Sequence, residues 1–244
     1  MALETRKRHV IDLPLLRDRP RVFRDRLHAG SLLADLACDL AHGKSIVTAL
    51  PPGGVPVAAE MARRLGLPLA VAAVCAITPS DDSGIRIGAV AFDGTQYLDE
   101  PLISRLRLSD DVVQRAIDTA RDTVRRWAER YGCRAATTAW RHRAAILVDD
   151  GLAGGLTMRV AAEALRRAGA RTLVVAVPTA HVAALRHIDE AHRIYCANLC
   201  SGHRFAIADA YRRWFDVDED HAVELYRAVS RPSDDLDSPV RRQR

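Results

Sequence analysis

The feature that most constrains this chain is an alternation of short apolar runs and amphipathic helices. Apolar, β-branched segments such as residues 44–50 and 144–150 carry no polar face, which is typical of fully buried strands. Repeated strand–helix units predict an α/β fold with a doubly wound parallel sheet and helices on both faces. The predicted helices cover residues 31–42, 55–65, 109–131, 156–168 and about 180–187, and the predicted strands cover residues 44–50, 68–77, 85–92, 144–150, 172–177 and 193–196.

Glycines follow three of the predicted helices directly. Gly43, Gly66 and Gly132 each stand just after the last apolar position of the periodic pattern. Glycine is common there because it adopts the left-handed conformation that ends a helix. These positions therefore support the predicted helix ends.

The two ends of the chain differ from this core. Residues 1–26 hold eight basic and four acidic side chains, so they carry +4 of the formal charge of +5. We predict that residues 1–28 are irregular, because they contain prolines and show no periodicity. The C-terminal segment is polar and contains serine and proline, which is typical of disorder. The predicted organisation is a basic arm over residues 1–22, one domain over residues 23–230 and a disordered tail over residues 231–244.

Composition excludes several classes of protein. No apolar stretch reaches the ~18–20 residues that span a bilayer, and the first residues lack the apolar core of a signal peptide. Five cysteines without a C-x-x-C pair argue against a disulfide framework. Because the chain after residue 26 is close to neutral, nucleic acid is not the expected partner. We expect a cytoplasmic protein that does not enter a membrane.

The segment with the clearest chemical signature is AAILVDDGLAGGLTM, residues 144–158. An apolar strand ends in Asp149 and Asp150, a glycine-rich turn follows, and a helix bearing Thr157 begins directly after it. Glycines let backbone N–H groups converge on an anion, and the helix N-terminus adds partial positive charge. The two acids lie at the carboxyl end of the strand, where α/β folds bind ligands. Paired carboxylates beside a phosphate-binding turn suit a ligand with a phosphate at one end and hydroxyls or a magnesium ion at the other, and a ribose 5-phosphate has that shape.

The glycine spacing of this segment excludes two other phosphate-binding motifs. A kinase-type phosphate loop needs G-x-x-x-x-G-K-[ST], and a dinucleotide fingerprint needs G-x-G-x-x-G, and neither fits. A plain strand-to-helix turn with solvated acids remains the alternative. Two adjacent acids and three glycines are more than such a turn needs.

Two segments resemble a known family. LVDDGLAGGLT resembles the phosphoribosyl-pyrophosphate-binding signature of type I phosphoribosyltransferases. About 100 residues upstream, ALPPGGVPVAAEMARRLGLPL resembles the pyrophosphate-binding loop and helix of a subgroup of uncharacterised bacterial phosphoribosyltransferase-like proteins. FRDR at residues 23–26 and RIGAVA at residues 86–91 fit the same subgroup. The resemblance covers roughly residues 22–228 and implies the family's sheet with a small C-terminal or hood element.

The resemblance implies both an activity and a set of site residues. The family transfers a phosphoribosyl group from phosphoribosyl pyrophosphate, or here from a related sugar phosphate, to a nitrogenous acceptor that the sequence does not identify. Pyrophosphate is released, and Mg²⁺ is the cofactor that the resemblance implies. No residue is assigned as a covalent nucleophile or as a base. A homodimer is the assembly that the resemblance suggests testing. Asp149 and Asp150 would hold the ribose hydroxyls, directly or through Mg²⁺ and its water. The 5-phosphate would be held by Gly151, Leu152, Ala153, Gly154, Gly155, Leu156 and Thr157, and the pyrophosphate loop would consist of Pro52, Gly53 and Gly54.

Departures from the family pattern all concern the pyrophosphate-bearing substrate. Gly154 stands where the family has a threonine, Pro52 where a basic residue is common, and Cys75–Ala76 where a basic pair is usual. Charge-assisted contacts contribute roughly 1.5–3 kcal/mol each, so these losses weaken pyrophosphate binding unless Arg86 or Arg63 replaces them. Two alternatives therefore stay open: a non-catalytic module that binds a ribose phosphate or nucleotide, and an enzyme acting on a different phosphorylated sugar.

Two weaker patterns occur near the C-terminus. Six of the twelve aromatic residues fall within residues 195–226, and the helical spacing of Tyr211, Trp214 and Phe215 favours a small C-terminal core over a hood that stacks on a base. The run H-x3-C-x3-C-x2-H at residues 192–203 has the residue types of a zinc site. Its cysteines are spaced more widely than in structural zinc sites, so we predict no metal there.

Overall fold

The computed structural model describes residues 9–41, 44–80, 84–132 and 139–230. Two predictions, the helix end at Gly43 and the disordered tail over residues 231–244, lie outside these residues.

Strands and helices alternate along most of the described ranges. The strands are β1 (His9–Asp12), β2 (Ser45–Ala49), β3 (Leu69–Val71), β4 (Val74–Ile77), β5 (Gly88–Ala91), β6 (Gln96–Leu98), β7 (Ala144–Val148), β8 (Thr172–His181) and β9 (Arg193–Cys200). The α-helices are α1 (Arg26–Leu36), α2 (Gly54–Leu65), α3 (Glu100–Leu106), α4 (Asp110–Arg130), α5 (Leu156–Arg167) and α6 (Glu219–Ser230).

Six strands form one parallel sheet in the order β1-β9-β8-β7-β2-β3. β7 lies inside it, with Val148 opposite Ala49 of β2 and Ala176 of β8. All five neighbouring pairs in this sheet are parallel, so the carboxyl ends of the strands lie at one edge. The predicted fold class, an α/β protein with a doubly wound parallel sheet, is confirmed.

Helices cover both faces of the parallel sheet because successive strand residues point to opposite sides. Val47 and Val148 pack on one face with residues of α1 and α2, whereas Ile46 and Leu147 pack on the other face with α5. α4 and α6 add their apolar residues to the first of these layers. None of the helices in the described ranges combines the length and apolar character needed to cross a bilayer.

The apolar run predicted as one strand over residues 68–77 forms two strands in different sheets. β3 pairs with β2 at the edge of the parallel sheet, and beyond Ala72 and Ala73 the chain continues as β4, which pairs antiparallel with β5. β6, which the sequence did not predict, completes this second, three-stranded sheet, and the sheet packs against α4 and α5. The pattern failed because both halves of the run are apolar, and apolarity does not show a change of partner strand.

The N-terminal region is more regular than predicted. β1 pairs with β9, so residues 9–12 belong to the edge of the parallel sheet instead of an irregular segment. α1 begins at Arg26 instead of residue 31, because Oδ1 of Asp25 accepts a hydrogen bond from the backbone N–H of His28 (2.9 Å) and caps the helix. The helix ends at Leu36, earlier than predicted. The division of the chain at residues 22 and 230 stays a prediction.

β8 and β9 continue past their predicted ends at residues 177 and 196. Thr179 and Asn198 are buried in these extensions, and the hydroxyl of Thr179 donates to the carbonyl of Asn198 (3.1 Å). Pro178 with Thr179 interrupts the apolar run of β8, and Asn198 interrupts that of β9, although both strands continue past these residues. The short helix predicted near residues 180–187 is a 3-10 turn over Ala184–His187.

Candidate functional site

The two sequence motifs meet at the carboxyl edge of the parallel sheet. Asp149 and Asp150 follow the last residue of β7, and the loop of residues 50–53 follows β2, the neighbouring strand. The backbone N–H of Leu50 donates to the carbonyl of Val148 (2.9 Å), which joins the two loops directly. The structure thus brings the predicted acids and the predicted pyrophosphate loop together.

Gly53 and Gly54 leave room for the acids. A Cβ atom on Gly53 would lie 2.5 Å from Oδ2 of Asp150. A Cβ atom on Gly54 would lie 2.6 Å from the carbonyl oxygen of Val148 and 2.9 Å from Cα of Asp149. Neither glycine has a positive φ, so its backbone conformation does not require glycine. Close packing against the β7 terminus explains both residues before any ligand is considered.

Strand β8 holds the start of the predicted phosphate loop. The backbone N–H of Leu152 donates to the carbonyl of Thr179, and the N–H of His181 donates to the carbonyl of Leu152, both at 2.9 Å. Gly151 packs against Ile207, since a Cβ atom there would lie 2.5 Å from that side chain. The N–H of Leu152 is therefore already used within the protein.

The rest of the loop opens into solvent and leads into α5. Ala153 and Gly154 are exposed, and a Cβ atom on Gly154 would meet no atom of the described residues within 4 Å. Gly155 has a φ of 80°, which glycine adopts without strain, and α5 begins at Leu156. Thr157 lies in the first turn. The N–H groups of a first helical turn have no partner within the helix and carry partial positive charge, so this part of the loop can hold an anion.

Asp149 and Asp150 share a largely desolvated position. Burial, and next to it the charge of Asp150, raises the pKa of Asp149 well above its usual range. Burial also raises the pKa of Asp150, although the Arg26 guanidinium opposes this effect. Asp150 is 8% exposed. Because ionising both carboxyls here is costly, a cation or hydroxyl donors bound between them would be stabilised.

Arg26 is a site residue to which the sequence analysis assigned no role. Its Nε and Nη2 atoms both lie 2.9 Å from Oδ2 of Asp150, and its Nη1 atom donates to the carbonyl of Phe215 (2.7 Å). Its Cζ atom lies 3.8 Å from the centroid of the Trp214 ring. The FRDR motif was the available signal, because Asp25 in it caps α1 and Arg26 is the first residue of that helix.

A cavity of about 580 Å³ opens over the two acids. Its wall on the side of the proline–glycine loop is uncharged, since Pro52, Cys75 and Ala76 line it. Burial raises the pKa of Cys75 to about 11, so this thiol is neutral at physiological pH. A second cavity of similar volume adjoins the first across residues 153–157.

The two arginines considered as replacements for the missing basic residues lie in different places. Arg86 lines both cavities. Arg63 lies on α2, where its guanidinium donates to Glu60 at 2.8 and 2.9 Å, and it does not line either cavity. Arg86 is thus the candidate that can approach a ligand near the acids.

The C-terminal aromatic residues divide between a core and the cavity. Tyr211 is buried, and its hydroxyl donates to the carbonyl of Asp150 (2.5 Å). Tyr226 packs edge-on against Tyr131, with ring centroids 5.4 Å apart. Trp214 packs on Tyr211 and lines both cavities. The favoured interpretation, a small C-terminal core, describes Tyr211 and Tyr226. Trp214 instead lines the cavity, as a residue that stacks on a base would.

The histidine–cysteine run is spread over β9 and the loop after it. Cys196 is buried, and its thiol donates to the carbonyl of Asn198 (3.4 Å). Nδ1 of His192 lies 3.3 Å from the backbone of Leu173. Within the described ranges, no three His, Cys, Asp or Glu side chains converge in a way that could hold a metal ion.

Known proteins were compared with this chain at the level of sequence. No protein-family model matches it. The chain is 29% identical over 204 residues to a curated protein of Mycobacterium tuberculosis, found in strains H37Rv and CDC 1551 and named "Putative phosphoribosyl transferase". The match covers 83% of this chain and 46% of the mycobacterial protein, so the chain spans about half the length of the curated relatives it matches.

Solved structures were compared as well. The protein TT1426 of Thermus thermophilus is 32% identical and matches with a TM-score of 0.66 over 85% of this chain and 99% of TT1426. A purine phosphoribosyltransferase of Pyrococcus horikoshii is 14% identical, with a TM-score of 0.44 over 82% of this chain and 99% of that protein. The similarity to TT1426 extends over nearly the whole of that protein.

Proposed function

We propose that this chain is a type I phosphoribosyltransferase, which binds phosphoribosyl pyrophosphate and transfers the phosphoribosyl group to a nitrogenous acceptor, with release of pyrophosphate; its similarity to the curated relatives named as putative phosphoribosyl transferases supports this. One observation carries the proposal. The acid pair, the glycine loop before α5 and the proline–glycine loop after β2 surround a single cavity at the carboxyl edge of the sheet.

The 5-phosphate is proposed to lie at the N-terminus of α5. Backbone N–H groups from Ala153 to Leu156 and the hydroxyl of Thr157 would donate to it. Leu152 would only shape the loop, because its N–H is bonded to β8. Gly151 would act in the same way through its contact with Ile207.

The ribose hydroxyls are proposed to lie against Asp149 and Asp150. Arg26 uses Oδ2 of Asp150, and the backbone N–H of Asp150 donates to Oδ1 of Asp149 (2.9 Å), which leaves the other oxygen of each carboxylate for a ligand. Two such oxygens together with substrate phosphates are a donor set that Mg²⁺ takes in proteins, so these residues fit the ion. Mg²⁺ bound there would supply positive charge to the phosphates.

The pyrophosphate is proposed to lie beside Pro52, Gly53 and Gly54, with Arg86 as its cationic contact. The reaction is a displacement at C1 of the ribose by a nitrogen nucleophile, through an oxocarbenium-like state. Catalysis of this kind rests on positioning and on charge stabilisation at the leaving group, so no covalent nucleophile is needed. Trp214 lies at the wall of the cavity, where the part of its ring that Arg26 and Tyr211 leave uncovered would contact the acceptor.

The proposal is tested by incubating the protein with phosphoribosyl pyrophosphate, Mg²⁺ and a panel of purines, pyrimidines and other nitrogen heterocycles. We expect pyrophosphate release with at least one acceptor, and a loss of at least about 100-fold in Asp149→Asn. Asp118→Asn, which alters an exposed carboxylate of α4, is the matched control and retains full turnover. Absence of turnover, together with absence of calorimetric binding of phosphoribosyl pyrophosphate, refutes the proposal.

A second candidate function is a non-catalytic module that binds a ribose phosphate or nucleotide. The uncharged wall formed by Pro52, Cys75 and Ala76 favours it, because a pyrophosphate group finds few cations there. This candidate predicts equal affinities for ribose 5-phosphate and phosphoribosyl pyrophosphate, within about threefold. The transferase predicts at least about tenfold tighter binding of the pyrophosphorylated sugar, since one added charge-assisted contact suffices for that.

The cytoplasm is the compartment we propose for the protein. Cys38, Cys75, Cys196 and Cys200 are all free thiols, which suits a reducing environment.

A further inference from the structure

The guanidinium of Arg26 connects two walls of the cavity. On one side it donates to Oδ2 of Asp150, through Nε and Nη2. On the other side its Nη1 donates to the carbonyl of Phe215, and its Cζ atom lies over the Trp214 ring, 3.8 Å from the ring centroid. One side chain from α1 therefore touches the acid pair and the aromatic segment of residues 211–217.

We propose that Arg26 is a positioning residue that couples the Asp150 carboxylate to the 211–217 segment, so that sugar binding at Asp150 and the placement of Trp214 depend on each other. The part of this inference that concerns a ligand rests on the proposed function. The coupling itself is a property of the protein without ligand.

Burial makes this connection energetically significant. The side chains of Arg26 and Asp150 are only 11% and 12% exposed, so solvent screens their attraction little. A buried carboxylate that loses its cationic partner keeps its desolvation cost, which is why breaking such a pair is far more disruptive than breaking a surface pair. Movement of Asp150 away from Arg26 would therefore release the guanidinium from the position in which it contacts Trp214 and the Phe215 carbonyl.

A second hydrogen bond joins Asp150 to the 211–217 segment, and it involves the backbone of Asp150 instead of its carboxylate. The Tyr211 hydroxyl donates to the backbone carbonyl of Asp150 and fixes the backbone of the acid to the same segment. Arg26 acts on the carboxylate instead. Because Arg26 occupies Oδ2, a ligand can use the other oxygen of Asp150 without displacing the arginine. The carboxylate is thus held in one orientation for the sugar.

Arginine suits this role and lysine does not. The three contacts of Arg26 use three different guanidinium nitrogens, which point in fixed directions from one plane. A lysine at this position keeps a positive charge near Asp150 but lacks the planar group that spans to Phe215 and stacks on Trp214. Arg26→Lys therefore keeps the positive charge beside Asp150 and removes the contacts that connect Asp150 to the 211–217 segment.

The coupling is tested first without ligand, by hydrogen–deuterium exchange over residues 211–217. We expect Asp150→Ala to accelerate exchange in this segment at least fivefold when Arg26 is present, and less than twofold in an Arg26→Ala background. Arg24→Ala is the matched control: it removes an exposed arginine two residues away and leaves the segment unchanged. Equal acceleration in both backgrounds, or none in either, overturns the inference.

A second arm uses ribose 5-phosphate with Mg²⁺ and protein labelled with 5-fluorotryptophan, in which Trp214→Phe identifies the Trp214 signal. In the unaltered protein we expect the sugar to shift that signal. Arg26→Lys should keep the affinity within about threefold yet lose the shift, whereas Arg26→Ala should lose at least tenfold in affinity. An Arg26→Lys protein whose Trp214 signal still responds fully refutes the coupling.

The two arms distinguish failure of the inference from failure of the proposed function. If the unaltered protein does not bind ribose 5-phosphate or phosphoribosyl pyrophosphate, the proposed function fails, and the exchange experiment still decides the coupling. If the sugar binds and residues 211–217 respond identically with and without Arg26, the proposed function stands and the inference fails.

Discussion

Replacement of Gly54 by alanine tests whether the proline–glycine loop is shaped by protein packing or by a ligand. The added Cβ atom would lie 2.6 Å from the carbonyl oxygen of Val148 and 2.9 Å from Cα of Asp149, whereas ordinary van der Waals contact begins at 3.4 Å. The loop must therefore retreat by about 0.8 Å from the end of β7. Both neighbours are backbone atoms at the end of β7, so no side-chain rotation relieves the contact.

The expected cost follows from this geometry. Overpacking of this kind costs about 1–3 kcal/mol. Retreat of the loop also stretches the hydrogen bond from Leu50 to the same Val148 carbonyl, now 2.9 Å. Alanine at Gly54, the first residue of α2, recovers up to about 1 kcal/mol of helix propensity. We expect a net loss of about 2 kcal/mol, equivalent to a fall in Tm of about 4–8 °C for a chain of this length.

The assay is thermal and urea unfolding of ligand-free protein. Gly202→Ala is the control, because its new Cβ atom would lie 3.8 Å from the nearest neighbour and its φ is not positive; its Tm should stay within about 1 °C. Gly53→Ala is the informative companion. Its Cβ atom would lie 2.5 Å from Oδ2 of the Asp150 carboxylate, a side chain and not backbone. Relief of this contact turns the carboxylate away from Arg26 and out of the orientation proposed for the sugar, so Gly53→Ala should lower sugar binding more than Tm. A Gly54→Ala protein as stable as Gly202→Ala refutes the packing argument.

Three further predictions concern the charges and hydrogen bonds around the acid pair. Burial raises the pKa of Asp149 in the folded protein, so its ionisation removes stability as pH rises above the unfolded value of 3.8. Asp149→Asn should therefore be more stable than the unaltered protein in urea unfolding at pH 8, and the difference should vanish near pH 3. Tyr211→Phe leaves the buried Asp150 carbonyl without its donor and should lower the free energy of unfolding by about 1–2 kcal/mol, unlike a Tyr97→Phe control at a half-buried position of β6. Arg86→Gln should weaken calorimetric binding of phosphoribosyl pyrophosphate about tenfold and leave ribose 5-phosphate within twofold; an equal effect on both sugars would show that Arg86 does not contact the pyrophosphate.

Most of the parallel sheet could be predicted from the sequence because its strands are buried on both faces. The runs at residues 44–50 and 144–150 show this directly, and both form inner strands of the parallel sheet. The second sheet could not be predicted, because β4 continues an apolar run that begins with β3 and no residue between them marks a change of partner. β1 was missed for a different reason: an edge strand of four residues has no distinct apolar pattern.

The part of the site whose residues are neighbours in the sequence could be predicted. Asp149 and Asp150 with the following loop could be found because strand, acids and glycines occur within one short segment. Arg26 and Trp214 come from opposite ends of the chain and meet only after folding. The role of Leu152 could not be predicted either. Its N–H donates to Thr179 of β8, and Pro178 with Thr179 concealed the continuation of this strand past residue 177.

The charge of the N-terminal segment takes on a different meaning once Arg26 is located. Residues 1–26 carry most of the net positive charge, and the last residue of that segment points into the cavity. It does not stand in for the basic residues missing near Pro52, because its guanidinium is bound to Asp150. Of the two arginines that line the cavity among the described residues, Arg86 is the one that the proposed function assigns to the leaving group. We expect the proposed site, with one such arginine among its described residues, to draw further positive charge from Mg²⁺, so pyrophosphate binding should depend steeply on Mg²⁺ while ribose 5-phosphate binding at the α5 N-terminus should not.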